Sequence, residues 1–137
     1  MEADRLRDLL RRPRTIAVVG LSPQPDRPSH GVARYLQRQG YRIVPVNPGH
    51  TEILGERCYP TLAVAARDHA IDIVDVFRRS EYAGAVVDEA LALRRAPLLI
   101  WLQLGVVDAA AQARAAAAGV PCVMDRCLAV DHQQLTM

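Results

Sequence analysis

Short apolar runs alternate with longer amphipathic stretches along the whole chain. Thr15-Ile-Ala-Val-Val-Gly20 is continuously apolar and β-branched, the pattern of a strand buried on both faces. Leu21-Ser-Pro-Gln-Pro-Asp-Arg27 holds two prolines and continues neither strand nor helix, whereas Pro28 has the fixed φ favoured at the first helical position. From there Val32, Tyr35, Leu36 and Gln39 fall at i, i+3, i+4 and i+7, the first three able to pack on a sheet, and Gly40 is placed to end the helix. Tyr41-Arg-Ile-Val-Pro-Val46 predicts a second strand closed by Asn47-Pro48-Gly49. Pro45 belongs near that strand's end because it cannot donate to a ladder. Residues 57–60 predict a short further strand, and Thr61 a cap for a brief helix through Ala66.

The second half repeats the alternation. Ile71-Asp-Ile-Val-Asp-Val-Phe77 predicts a strand, and Ser80 an N-cap for a helix with Ala83, Val86, Val87, Ala90 and Leu91 on one face. Leu98-Leu-Ile-Trp-Leu102 is the next buried run, Asp108 to Ala118 an Ala-rich helix ended by Gly119, and Val120 to Met124 a last strand. Strands alternating with helices require right-handed crossovers. The expected fold is therefore a Rossmann-like, doubly wound α/β domain: a mostly parallel sheet with helices on both faces, one domain over residues 1–137 with a leading helical segment at 1–13.

Composition narrows the function. A chain of 137 residues is the size of one domain, and 50% hydrophobic residues suit a packed core. Seventeen basic against fifteen acidic residues leave +2, too little for a sequence-independent nucleic-acid or anionic-membrane surface. All seventeen are Arg, which excludes lysine Schiff-base chemistry and the lysine of a P-loop. The cluster Arg5, Arg7, Arg11, Arg12 and Arg14 reads as the solvated face of the leading helix or as a phosphate or partner contact. No run reaches the ~18 apolar residues of a membrane span, and no secretory signal precedes the first strand, so a cytoplasmic location is expected. Cys58, Cys122 and Cys127 are odd in number and lack metal-ligand spacing, so reduced thiols and no metal site are expected.

Candidate chemistry lies where the strands end, because ligands of open parallel sheets bind beyond the carboxyl edge. Those ends are Gly20-Leu21-Ser22, Asn47-Pro48, Phe77-Arg78, Gln103-Leu104-Gly105 and Asp125-Arg126-Cys127. A glycine followed by a helix N-terminus offers backbone donors and the helix dipole to a phosphate. A dinucleotide site needs GxGxxG and an acid after the second strand; here stand Gly20-Leu-Ser-Pro-Gln-Pro and Asn47-Pro48. A nucleotide with an extra phosphate, or one differently oriented, fits Arg27 and Arg78 better, though either could serve an ion pair.

At these ends the chain resembles the small stand-alone CoA-binding proteins, similar in fold to the N-terminal CoA-binding domain of the succinyl-CoA synthetase α subunit. The resemblance rests on Val19-Gly-Leu-Ser-Pro with Asp26-Arg-Pro-Ser29, Val44-Pro-Val-Asn-Pro48, Asp75-Val-Phe-Arg78, Trp101-Leu-Gln-Leu-Gly-Val106 and Met124-Asp-Arg-Cys127. It implies coenzyme A as cofactor or partner, free or acylated, with Gly20 and Ser22 under the diphosphate and Arg27 nearby. Asn47 and Pro48 would border the adenosine, Phe77 and Arg78 the nucleotide and the start of pantetheine, Gln103 and Gly105 the pantetheine arm. Bland roles stay open: Gly20 as a turn, Phe77 as core, Gln103 as a strand-end cap, and Cys127 as packed thiol or as neighbour of the CoA thiol. Scattered histidines and the absence of a GxSxG elbow or HExxH leave no complete catalytic set. A carrier, sensor or subunit is expected, against an NAD(P)-type or acyl-CoA-handling enzyme relying on a partner or Cys127, and against an interaction module with a vestigial crevice.

Overall fold

The computed structural model describes residues 1–12 and 14–137. In chain order it contains α1 (Ala3–Arg11), β1 (Thr15–Val19), α2 (Pro28–Arg38), β2 (Arg42–Val46), β3 (Glu52–Ile53), β4 (Glu56–Arg57), α3 (Leu62–Asp68), β5 (Ile73–Val76), α4 (Ser80–Leu91), β6 (Leu99–Leu102), α5 (Ala109–Ala117), β7 (Cys122–Val123) and α6 (Leu128–Thr136). Five strands form one parallel sheet in the order β2-β1-β5-β6-β7, and β3 and β4 a small antiparallel hairpin. This is the Rossmann-like α/β fold expected. The chain winds outward from β1 to β2, then returns across β1 to β5 and winds the other way, so the reversal falls between β1 and β5.

The period-2 alternation of the strands divides the core into two layers. Ile16, Val18, Ile73, Leu99 and Trp101 face one side with Leu6 and Leu10 of α1, Ala33 and Leu36 of α2, and Leu128 of α6. Ala17, Val19, Val74, Val76, Ile100 and Leu102 face the other, against α3, α4 and α5. Continuous apolar runs were legible as strands because each position is covered from one side or the other.

Several local expectations hold. Thr61 Oγ1 accepts from Val64 N at 3.2 Å and Asp108 Oδ1 from Ala111 N at 2.9 Å, so both cap their helices. Pro45 lies within β2, opposite Val18 of β1. It is tolerated because β2 is an edge strand. The Pro45 carbonyl accepts from Tyr59 N at 3.0 Å on the side away from β1, which is also where its missing N–H would point.

Others are corrected. Ser80 is not the N-cap of α4; Arg79 holds that place without a side-chain bond. The Ser80 hydroxyl instead accepts from Val107 N at 2.9 Å and donates to the Gly105 carbonyl at 3.3 Å, tying α4 to the loop after β6. The strand expected at 57–60 is only a bridge of Tyr59 to Val46 beside β4. On α2 the buried stripe runs through Ser29, His30, Ala33 and Leu36, with Val32 and Tyr35 at its margin. Helix α6 was not foreseen. Of the expected leading segment, α1 forms, while Pro13 lies outside the described residues. Arg7 Nε donates to the Leu135 carbonyl at 2.9 Å and Arg14 Nε to that of Leu9 at 2.7 Å, so part of the N-terminal arginine cluster fastens the chain ends.

Candidate ligand crevice at the carboxyl edge of the sheet

A cleft of about 380 Å³ opens at the reversal point, between the ends of β1, β5 and β6 and the start of α2. Six of the ten residues selected from sequence line it: Gly20, Ser22, Arg27, Phe77, Gln103 and Cys127. Asn47, Pro48, Arg78 and Gly105 do not, although Arg78 and Gly105 directly follow the lining residues Phe77 and Leu104. Asn47 Nδ2 donates to the Leu21 carbonyl at 2.8 Å and its N–H to the Tyr59 carbonyl at 2.9 Å, so it fixes the loop after β1. Gly105, in a left-handed turn with φ +85°, donates its N–H to Asp125 Oδ1 at 2.7 Å and holds the loop after β6 against the one after β7. Pro48 is exposed.

Gly20 is required by the chain itself. At φ +88° its N–H donates to the Val46 carbonyl at 2.9 Å, and a Cβ there would stand 2.2 Å from the Phe77 carbonyl oxygen. Its turn is therefore set by the junction of three strands. The Ser22 N–H is also engaged, donating to Ser29 Oγ at 2.9 Å, while Ser22 Oγ accepts from Gln24 N at 3.1 Å. Of the donors expected for a phosphate, those of Gly20 and Ser22 are thus used internally. What remains is one N–H at the start of α2, that of Ser29, since Pro28 has none and that of His30 donates to the Arg27 carbonyl at 3.1 Å, together with the guanidiniums.

Neither Arg27 nor Arg78 pairs with a carboxylate among the described residues, whereas Arg79, Arg95, Arg114 and Arg126 do. Arg27 is exposed at the cap of α2. Arg78 lies 5.3 Å from the centroid of the Tyr82 ring, a cation–π arrangement that keeps its charge at the rim. The rest of the lining is largely apolar, with Val32, Phe77, Val106 and the exposed Leu104. At the far end Cys127 is partly exposed ahead of α6. Its neighbour Arg126 is spent elsewhere, ion-paired to Asp131 and 5.9 Å from the Trp101 ring. Cys58 and Cys122 are buried, and burial pushes the Cys122 thiol up to about 11.

Gln103 is both strand end and lining. It is 3% exposed, and its Nε2 donates to Asp75 Oδ1 at 2.8 Å. The sequence motifs contained Asp75, Ser29, Leu104 and Val106 but assigned them no part in the site, and Val32 was read only as a packing position of α2. A signal existed for Asp75, since a strand covered on both faces has no exposed side for an acid. A larger depression, about 590 Å³, lies at the other edge between the start of α1, α5 and Pro121-Cys122. It is away from the reversal point, and its charged wall residue is Arg5.

Strand order and register define the doubly wound α/β class, with a cleft at the carboxyl edge of the sheet. Residues 14–133 match the CoA-binding domain family, and the chain belongs to that family. It is 42% identical over 127 residues to YneT of Bacillus subtilis, described as uncharacterized, covering 93% of this chain and 91% of that one. A Thermus thermophilus protein of solved structure shares 41% identity at a TM-score of 0.86, covering 98% of this chain and 99% of the other. A hypothetical protein from Pyrococcus horikoshii superposes with a TM-score of 0.91 at 31% identity, covering 100% and 94%. Among the described residues no helix is long and apolar enough to cross a membrane.

Proposed function

We propose that this chain binds coenzyme A, free or acylated, in the crevice between β1, β5 and β6, and acts as a carrier, sensor or subunit. The observation that carries the reading is the polarity of the cleft. Two guanidiniums without carboxylate partners among the described residues and the start of α2 stand at its rim, and apolar side chains and Cys127 make up much of the remaining lining. Coenzyme A has the same polarity, with phosphates at one end and a long arm carrying two amides at the other. In this reading Arg27, Arg78 and the start of α2 take phosphate charge, Ser22 borders the diphosphate, and Asn47-Pro48 flank the adenosine. Phe77, Gln103 and the loop at Gly105 follow the arm toward Cys127. Membership of the CoA-binding domain family supports the choice of ligand. A dinucleotide fits less well, since no acid follows β2 to bind ribose hydroxyls.

Calorimetry tests the reading. CoA binds and NAD does not; tighter binding of NAD would overturn it. Arg78→Ala weakens CoA by about 1–3 kcal/mol, the range of a charge-assisted bond, and leaves pantetheine, which has no phosphate, unchanged. Equal losses for both ligands would remove Arg78 from the phosphate site.

A further inference from the structure

Asp75 is a carboxyl at the centre of the sheet. It lies in register with Val18 of β1 and Trp101 of β6 and is wholly buried. Gln103 Nε2 donates to its Oδ1, while Oδ2 is buried with no hydrogen-bond partner among the described residues. The titratable groups on the elements packed against this face include His30 and Tyr35 of α2, Tyr41 ahead of β2, Cys58, Asp131 and His132 of α6, and Arg126 and Cys127 ahead of α6. None bonds to Asp75, and Arg126 is already paired with Asp131. Burial without a counter-charge pushes the Asp75 carboxyl up to about 7, so both its forms are populated near neutrality.

The two forms ask opposite things of Gln103. A carboxylate only accepts, so it holds Nε2 inward and leaves Oε1 toward the crevice that Gln103 lines. A neutral carboxyl carries an O–H that must donate; among the described residues no acceptor meets Oδ2, so the proton belongs on Oδ1, beside the Gln103 amide. A half-turn of the Gln103 amide brings Oε1 to that O–H and swings Nε2 outward. We propose that Asp75 is a positioning residue whose proton, exchanged with solvent, decides whether Gln103 offers the crevice a hydrogen-bond acceptor or a donor, and so which amide group of the pantetheine arm it grips. The ligand part rests on the CoA reading above. The amide turn does not.

Two measurements separate them. In the ligand-free wild-type chain, the Asp75 carboxyl carbon and the Gln103 side-chain amide resonances shift together with one midpoint between pH 6 and 8. Stationary Gln103 resonances through the Asp75 titration, or an Asp75 ionised across that whole range, would overturn the proposal. CoA affinity is then followed over the same range in wild type and Asp75→Asn. The secondary phosphate of CoA, which titrates near pH ~6, acts equally on both chains. The wild type changes by about tenfold more than the variant, the size of one exchanged hydrogen bond. Superimposable profiles would sink the coupling. Failure of CoA to bind either chain would defeat the CoA reading, while the resonances still decide the amide turn.

Discussion

Gly20 meets two demands at one residue. Its positive φ suits the turn that ends β1, and its missing side chain makes room for the Phe77 carbonyl of the neighbouring strand end. From sequence the glycine suggested a place under a phosphate or a turn. Backbone packing against Phe77 could not be read from the chain, because it depends on β5 lying beside β1. Gly20→Ala therefore costs about 3 kcal/mol of stability, from left-handed strain and a clash with backbone that cannot rotate away. Denaturant unfolding followed by Trp101, the single tryptophan, measures it. An Ala variant as stable as wild type would mean that the strand ends move apart at little cost. Arg27 and Gln103 were visible as candidates because strand and helix ends can be located from apolar runs and prolines. Ser29 was not, since a buried serine at a helix start looks like any exposed one.

Elements were legible in proportion to how apolar their buried faces are. The strands show their burial as continuous apolar runs, α2 and α4 show theirs at helical spacing, and α5 is marked by its alanines. Helix α6 does not. It buries Leu128, Asp131 and His132 and leaves Val130 exposed, so no apolar stripe marks it. His132 seats it against α2 and the turn after it, edge-on to the Tyr35 and Tyr41 rings with centroids 5.5 Å away, its Nδ1 2.8 Å from the Tyr35 hydroxyl. Burial lowers the His132 pKa below 6.5. The unfolded chain then takes up the proton first, so this stabilisation is full above pH 6.5 and declines as the pH falls below it. Asp75 has the opposite slope. Raised from 3.8 to about 7, its contribution is greatest below 3.8 and declines as the pH rises to about 7. Amide hydrogen exchange resolves the two: opening of α6 becomes more frequent from pH 7 to pH 5, and His132→Phe abolishes that acid dependence. If α6 protection is equally pH-dependent in the variant, His132 does not control the helix.

At the scale of the whole molecule, the crevice joins parts distant in sequence. Gly20, Phe77, Gln103 and Cys127 belong to four successive stations of the sheet edge, met in one cleft because the winding reverses between β1 and β5. The alternation of elements gave the class of fold from sequence, and the strand-end motifs gave the edge. Which ends stand side by side required the strand order. A ligand gripping all of them braces the sheet, since opening β1 from β5 would tear the site. Binding restricted to the folded state adds about 2.7 kcal/mol at a hundredfold excess over Kd. For a chain of 137 residues, that raises Tm by roughly 9 °C. Thermal unfolding read by Trp101 fluorescence gives that rise with CoA and none with NAD, and Arg78→Ala shifts the CoA concentration needed upward by its loss in affinity. A CoA-induced rise that is identical in wild type and Arg78→Ala at every concentration would locate the ligand elsewhere. The depression between α1 and α5 would then be the next site to probe, through Arg5→Ala.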